Sequence, residues 1–287
     1  MGMMRSLGLV LHPGRDCSTA MQEITDWACR REIAVLGLAE EIGRISSDAT
    51  PTDPDHLAGR SDIIVSLGGD GTMLRSMRLV QGHDTPVLGV NLGRLGFLAE
   101  VDVAELPDAL SAIDEHRFTV EGRCAVRAGF AGAGTAAFND IALVRIPGSG
   151  GTAAVEVQVE GHRFVRYAGD AVVVSTPTGS TAYSFSAGGP IVSPRAEGML
   201  VIPVAPHSAF NRALFLSGGE ALALEVLPTS GDLALEADGL VVGELHPGDV
   251  VHLTLVSEAA HVIRLGRTTF YQRAQRRLRL MGSAEAD

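Results

Sequence analysis

A carboxylate set among glycines is the first feature of this sequence that could do chemistry. In Gly68-Gly69-Asp70-Gly71-Thr72 the aspartate follows a short apolar run (Ile63, Ile64, Val65, Leu67) and precedes Met73, Leu74, Met77 and Val80 at helical spacing. Strand, glycine turn and helix start together expose backbone N–H groups, and phosphate binds well at such a place. Asp70 itself would repel phosphate. Its presence calls for a Mg²⁺ ion or for a hydroxyl whose proton it accepts, and both belong to phosphoryl transfer. A helix N-cap is the purely structural alternative for the same residue.

Further along, the strand-like Ala171–Ser175 leads into Thr176-Pro177-Thr178-Gly179-Ser180-Thr181-Ala182-Tyr183-Ser184-Phe185-Ser186, then Ala187-Gly188-Gly189-Pro190. Hydroxyls and backbone N–H groups concentrated between glycines recognise sugar and phosphate without demanding net positive charge. Tyr183 adds a flat ring suited to a base and a phenol hydroxyl. Asn139 offers a donor and an acceptor to a base edge or to ribose, and Asp140 beside it suits ribose hydroxyls; a turn with Asx hydrogen bonds is the alternative for this pair. Asn91-Leu92-Gly93-Arg94-Leu95-Gly96-Phe97-Leu98, after another strand, suits a loop lining the crevice where open α/β sheets bind ligands, or a mostly structural turn with Phe97 and Leu98 in the core that supports the Asp70 loop.

Composition narrows the chemistry. The net charge of −11 argues against nucleic-acid and anionic-membrane partners, and all 23 basic side chains in the Lys+Arg count are arginine. Without lysine there is no P-loop lysine, no protein-kinase ATP lysine and no Schiff base. Cys17, Cys29 and Cys124 are odd in number and lack zinc spacing, which predicts a reduced, cytoplasmic protein. No apolar run is long enough to span a bilayer.

The elements that must position these residues change character along the chain. Up to about residue 115, strands (Leu7–Leu11, Ile33–Leu38, Ile63–Leu67, Pro86–Val90) alternate with helices (Ser18–Arg31, Thr72–Gln81, Ala104–Ile113), which predicts an α/β domain with a doubly wound, mostly parallel sheet. Short strand candidates then dominate, among them Arg123–Phe130, Ala137–Arg145, Ala154–Glu160, Ala171–Ser175, Leu233–Ala237 and Val250–Val256. They predict a β-rich, sandwich-like second domain. The expected division is 1–115, 116–265, and a C-terminal helix (Phe270–Leu280) with its tail over 266–287.

Gly-Gly-Asp-Gly-Thr resembles the signature of a kinase superfamily acting on NAD, diacylglycerol, sphingoid lipids and, loosely, sugar phosphates. With Asn91–Leu98, Asn139-Asp140, Asp170 and Thr176–Ser186 in order, and weaker matches at Pro206-His207-Ser208, Arg212 and Asp238-Gly239, the sequence from about residue 5 to 280 is similar to the NAD kinase family. The resemblance implies phosphorylation of the adenosine-ribose 2′-hydroxyl of NAD, with ATP or polyphosphate as donor and a divalent cation such as Mg²⁺, in a homodimer or homotetramer. It makes Asp70 the proton acceptor, puts Gly68, Gly69, Gly71 and Thr72 in the phosphate loop, and has Gly71 and Arg75 line the same loop. Asn139 and Asp140 match the family's Asn-Glu pair, Asp170 an acidic residue at the nicotinamide half, and Thr181, Ala182, Tyr183, Ser184, Phe185 and Ser186 the dinucleotide loop. Asp140 in place of glutamate and Ala168 in place of arginine depart from the pattern. Both bear on affinity and on NAD versus NADH preference. A diacylglycerol-type lipid kinase would share Gly68–Thr72 but needs a membrane-facing element. A non-catalytic dinucleotide-binding regulator would dispense with Asp70.

Overall fold

The apolar runs at the start of the chain become parallel strands, because each is followed by a segment long enough to cross back over a sheet. In the computed structural model these are β1 (Ser6–Leu11), β2 (Ala34–Leu38), β3 (Thr50–Thr52), β4 (Ile63–Gly68), β5 (Val87–Asn91) and the short β6 (Val101–Asp102). Residues 4–45, 48–93, 96–148, 150–207 and 210–280 are described. Arg94, Leu95, Ser208 and the tail 281–287, which belong to segments discussed above, lie outside them.

The parallel strands run in the order β3-β2-β1-β4-β5, with β6 beside β5. Helices α1 (Ser18–Cys29), α2 (Ala39–Ile42), α3 (Pro54–Leu57), α4 (Asp70–Leu79) and α5 (Leu106–Asp114) connect them. Alternate strand residues serve opposite faces. Leu7, Leu9, Leu11, Val65 and Leu67 join Ile24, Trp27, Leu106 and Leu110 of α1 and α5 in one core. Gly8 instead lies against Leu57 and Gly89 against Met73, on the side of α3 and α4. Burial on both faces is why these strands read as continuous apolar runs.

From β1 the chain turns to β2 and β3 on one side, then returns to β4 on the other. The carboxyl ends of β1 and β4 therefore meet at a switch point, where open α/β sheets bind ligands. The N–H of His12 donates to the carbonyl of Leu67 across it at 2.8 Å.

The second unit is antiparallel throughout. It contains β7 (Thr119–Phe130, from Arg123 onward), β8 (Ala133–Ala137), β9 (Asp140–Arg145), β10 (Ala153–Val159), β11 (His162–Gly169), β12 (Ala171–Ser175), the single turn α6 (Tyr183–Ser186), β13 (Gly198–Val204), β14 (Leu214–Ser217), β15 (Leu222–Val226), β16 (Leu233–Ala237), β17 (Leu240–Leu245) and the start of β18 (Val250–Arg264). One sheet runs β11-β10-β15-β18 and the other β14-β13-β12-β9-β16-β17. Their inner faces share one core, with Val155, Val172, Val201, Leu224, Leu235 and Leu253 among its members. This is the sandwich expected from the short strands. The single strand expected over Ala137–Arg145 is broken at Phe138-Asn139, and the Val250–Val256 strand runs on to Arg264.

The units divide at Gly122/Arg123 and again at Ala259/Ala260, so the segment from Ala260 onward belongs to the first unit. The sequence-derived boundary near residue 116 and the separate segment 266–287 thus give way to a discontinuous first unit. The cause is both apolar and polar: Ile263 joins the first core, β18 pairs with β5 at Val262–Val87, Leu265 N–H reaches Glu100, and α7 (Phe270–Leu278) places Arg273 on the same carboxylate. No local pattern announces bonds between residues so far apart in sequence.

Gly89 on β5 shows how closely the segment after that strand is laid over the sheet. A Cβ there would stand 2.9 Å from the Ala99 Cα and 2.9 Å from the Met73 sulfur, and Glu100 N–H donates to the Gly89 carbonyl at 2.9 Å. Gly89→Ala should destabilise the first unit by about 1–3 kcal/mol through overpacking. The sole tryptophan, Trp27, is buried in that unit, so a lower urea midpoint of its fluorescence measures the loss.

Candidate active site

Helix α4 starts at Asp70, two residues before the expected Thr72, because Gly69 takes the N-cap place. Asp70 therefore does not cap its own helix. Its carboxylate instead accepts the N–H of Phe97 at Oδ2 (3.0 Å) and that of Leu98 at Oδ1 (3.0 Å). Gly96 is pressed onto the same carboxylate, where a Cβ would lie 2.1 Å from Oδ1. The Asn91–Leu98 motif is thus the support of Asp70. Asn91 helps shape it by donating to Gly93 O and to Asp102, both at 2.7 Å. A carboxylate can accept about four hydrogen bonds, so two acceptor positions remain once the support is made.

The glycines around Asp70 divide by cause. Gly68 is forced by the fold, since a Cβ would meet the Thr72 hydroxyl at 2.1 Å and Thr72 is buried. Gly69 and Gly71 have no such reason: a Cβ on either would meet nothing within 4 Å, and neither has a left-handed φ. Open space over bare backbone at a helix N-terminus suits close approach of an anion. Arg75, expected to line this loop, gives its guanidinium to the carbonyl of Leu11 (2.6 Å) and to the buried Glu41. It ties α4 to the end of β1.

Beyond β1 the chain makes a tight turn. The Nδ1 of His12 accepts the N–H groups of Gly14 and Arg15, both at 3.0 Å, which assigns the proton to Nε2 in the neutral ring. Burial, and then Arg15, Arg75 and Arg44, hold the His12 pKa below its ordinary value. An open depression of about 990 Å³ adjoins this turn and is lined in part by His12, Arg15 and Arg44. Arg15 extends over Gly93, where a Cβ would stand 2.5 Å from one of its terminal nitrogens.

In the second unit the hydroxyl-rich loop has two halves. The first is turned inward: Thr176 donates to Phe138 O (2.5 Å), Ser175 to Thr176 O (2.9 Å) and Ser180 to Pro177 O (2.7 Å). Gly179 is required because a Cβ would collide with the Asn139 carbonyl at 2.0 Å. This packed turn sets the position of the second half, where Thr181, Ala182 and Tyr183 are half-buried, Phe185 and Ser186 are exposed and Ser184 is buried. Asn139 is half-buried, and its side-chain amide has no hydrogen-bond partner among the described residues.

Asp238 organises this region from the next hairpin. Its carboxylate accepts the N–H groups of Phe138 (3.3 Å), Asn139 (2.7 Å) and Asp140 (3.4 Å). Asp140 is buried, and its pKa is pushed up to about 7 by burial first, then by Asp238 and Glu236. Burial, followed by Glu236, Asp140 and Asp170, raises the Tyr183 phenol. Asp170 is exposed at the β11–β12 turn and pairs with Arg145 at 2.7 Å. Glu236 and Arg145 were not legible as site residues, since they adjoin it only through strand pairing.

Asp140 yields a pH signature. Its proton is held to a higher pH in the folded protein than the ordinary carboxylate value of about 4 allows in the unfolded chain. The folded state therefore loses stability as pH rises from there through about 7. Asp140→Asn should match the wild type near pH 4 and gain on it in Tm up to pH 8, as measured by calorimetry in the absence of ligand.

The ATP-NAD kinase N-terminal domain matches residues 7–118 and the ATP-NAD kinase C-terminal domain residues 138–265. NAD kinase 1 of Streptomyces avermitilis is 36% identical, the alignment covering 98% of this chain and 88% of the relative. NAD kinase of Desulforamulus reducens is 33% identical over 96% of this chain and 98% of its own. Among solved structures, yeast NADH kinase complexed with NADH superposes with a TM-score of 0.85 at 25% identity, covering 99% of this chain and 89% of that one. An NAD kinase from Archaeoglobus fulgidus in complex with ATP shares the fold, with a TM-score of 0.72 at 24% identity over 96% of this chain and 100% of its own. With both domain families matched in order and relatives aligned along nearly its whole length, this chain belongs to the ATP-NAD kinase family.

Proposed function

We propose that Asp70 is the general base of an NAD kinase that phosphorylates the adenosine-ribose 2′-hydroxyl, forming NADP. The observation that carries this reading is the carboxylate itself. It is fixed at the switch point by two N–H groups from outside its own helix, keeps acceptor capacity to spare, and stands beside two glycines the fold does not require. The ribose hydroxyl gives its proton to Asp70 as its oxygen attacks the terminal phosphorus of the donor. The phosphoanhydride bond breaks, and the nucleoside diphosphate leaves with the bond electrons.

We take ATP as the donor, with inorganic polyphosphate the alternative to be assayed beside it. Phosphate charge is met by backbone N–H groups at Gly69–Gly71 and by Arg15 over Gly93. Among the described residues, the His and carboxylate groups within mutual metal-ligating reach are Asp232, Glu244 and His246 in the second unit. Asp70 has two acceptor positions already filled. A divalent cation therefore enters as part of the donor, carried on its phosphates, where it neutralises developing charge.

On the dinucleotide side we assign Asn139 to the adenine or ribose, Asp140 to ribose hydroxyls, Asp170 to the nicotinamide half, and Thr181–Ser186 to the loop that grips the ligand, with Tyr183 stacked on a base or ribose. Arg75 acts on the site by holding the start of α4. The free cysteines fit a reduced, cytoplasmic protein, and among the described residues no helix is long and apolar enough to cross a membrane. Assembly as a homodimer or homotetramer follows the family resemblance.

Asp70→Asn keeps the shape of the side chain but removes the base, and its amide nitrogen can no longer accept one of the two supporting N–H groups. It should lower kcat for NADP formation by about 10²–10⁴ while NAD affinity stays within about tenfold. A near-wild-type kcat would reduce Asp70 to a structural residue. Tyr183→Ala should weaken NAD binding by about 1–3 kcal/mol, the worth of one stacked base, with Tm little changed. Isothermal titration of both proteins with NAD reads the first effect and calorimetry the second.

A further inference from the structure

Residues 96–100, which hold Asp70, leave the sheet after β5 and include neither helix nor strand, so their place depends on bonds to other segments. Their anchors come from the far end of the chain. Leu98, whose N–H ends on Asp70, has its carbonyl bound by the Arg264 guanidinium at 3.1 Å. The same nitrogen of Arg264 also donates to Glu100 Oε2 at 2.8 Å, and Arg264 Nε donates to Glu121 at 3.2 Å. Glu100 Oε1 accepts Leu265 N–H at 2.8 Å, and Oε2 also accepts from Arg273 of α7 at 3.3 Å. Arg264, Glu100 and Arg273 are all buried. The ring of Phe97, whose N–H is the second donor to Asp70, packs against Phe270 at the start of α7, centroid to centroid 6.5 Å.

From this we infer that Arg264 is a positioning residue for Asp70, acting through the backbone of Leu98, with Phe270 holding the adjacent Phe97 and the C-terminal segment thereby setting the geometry of the base. The inference rests on Asp70 being that base. Both donors on its carboxylate belong to a segment with no regular structure of its own, so the carboxylate is only as well placed as residues 97 and 98. A charge-assisted hydrogen bond is stronger and more directional than a neutral one. Burial denies water the chance to replace it at the Leu98 carbonyl. Glu100 and Glu121 keep the guanidinium from being an unpaired buried charge, so Arg264 can stand beside the site without adding free positive charge.

The test uses the full chain. Arg264→Gln should lower kcat by roughly ten- to hundredfold, the scale on which small misplacements of a catalytic group act. KM for NAD and for ATP should stay within about threefold, because ligand contacts are untouched. Arg264→Lys, which keeps the charge and one donor, should recover part of the loss. Amide hydrogen exchange at Phe97 and Leu98 should speed up in the Gln variant and to a smaller degree in the Lys variant. Phe270→Leu leaves the Arg264–Glu100 pair intact and decides the matter if Arg264→Gln does not fold. It should lower kcat with KM held, and speed exchange at Phe97 more than at Leu98. Unchanged kcat, unchanged exchange at both amides, or a loss of kcat matched by an equal rise in both KM values would overturn the inference. The exchange measurement needs no turnover. A wild type that made no NADP would therefore sink the kinase reading while leaving the mechanical coupling of Arg264 to Asp70 separately visible.

Discussion

Two backbone N–H groups, from Phe97 and Leu98, end on one carboxylate, and the first unit is arranged so that they can. Asp70 must sit at the start of α4 for its side chain to reach them, which requires Gly69 as N-cap and a helix that begins where β4 ends. Gly96 must lack a Cβ for the segment to close over the carboxylate. Gly89 must lack one for the following residues to lie on β5. The bonds also keep a carboxylate in a defined place at an anion-favouring helix N-terminus.

Electrostatics sets the second constraint. A chain of net charge −11 without lysine has to bind phosphates by local means. Several of its arginines are already engaged: Arg75 with Glu41, Arg264 and Arg273 with Glu100, Arg145 with Asp170. These pairs fix elements in place and contribute little free field. On the proposed reading, phosphate recognition falls to backbone N–H groups and to the turn after β1, where a neutral His12 shapes the loop that carries Arg15.

The second unit solves a different problem, holding a cluster of polar groups steady on an antiparallel sandwich. Three successive N–H groups at the break between β8 and β9 are collected by Asp238, and the Thr176–Gly179 turn packs against Asn139 from the other strand. The cost is the crowding of Asp140 with Asp238 and Glu236, which keeps a proton on Asp140 to higher pH than a free carboxylate would allow. A protonated Asp140 can donate as well as accept, which widens what it can offer a ribose hydroxyl.

Some of this was written in the linear pattern. Apolar runs between glycines marked β1, β4, β5 and β12. The spacing of Met73, Leu74 and Met77 marked α4, and the glycines around Asp70 marked the turn before it, because strand period, helix period and turn residues are local properties of the chain; Asp70 among them marked the proposed base. The hydroxyl loop was legible as a candidate binding element. That its first half is spent on its own backbone was not, since inward and outward hydroxyls look alike in sequence. Only the tertiary structure gave Asp70 its two donors, moved the C-terminal segment into the first unit, and joined Leu98 to Arg264 across 166 residues. Those facts depend on which buried charges find partners once the sheet has formed. A buried Glu100 or Arg264 reads in sequence like any solvated charge, and burial is decided by the packing of distant segments.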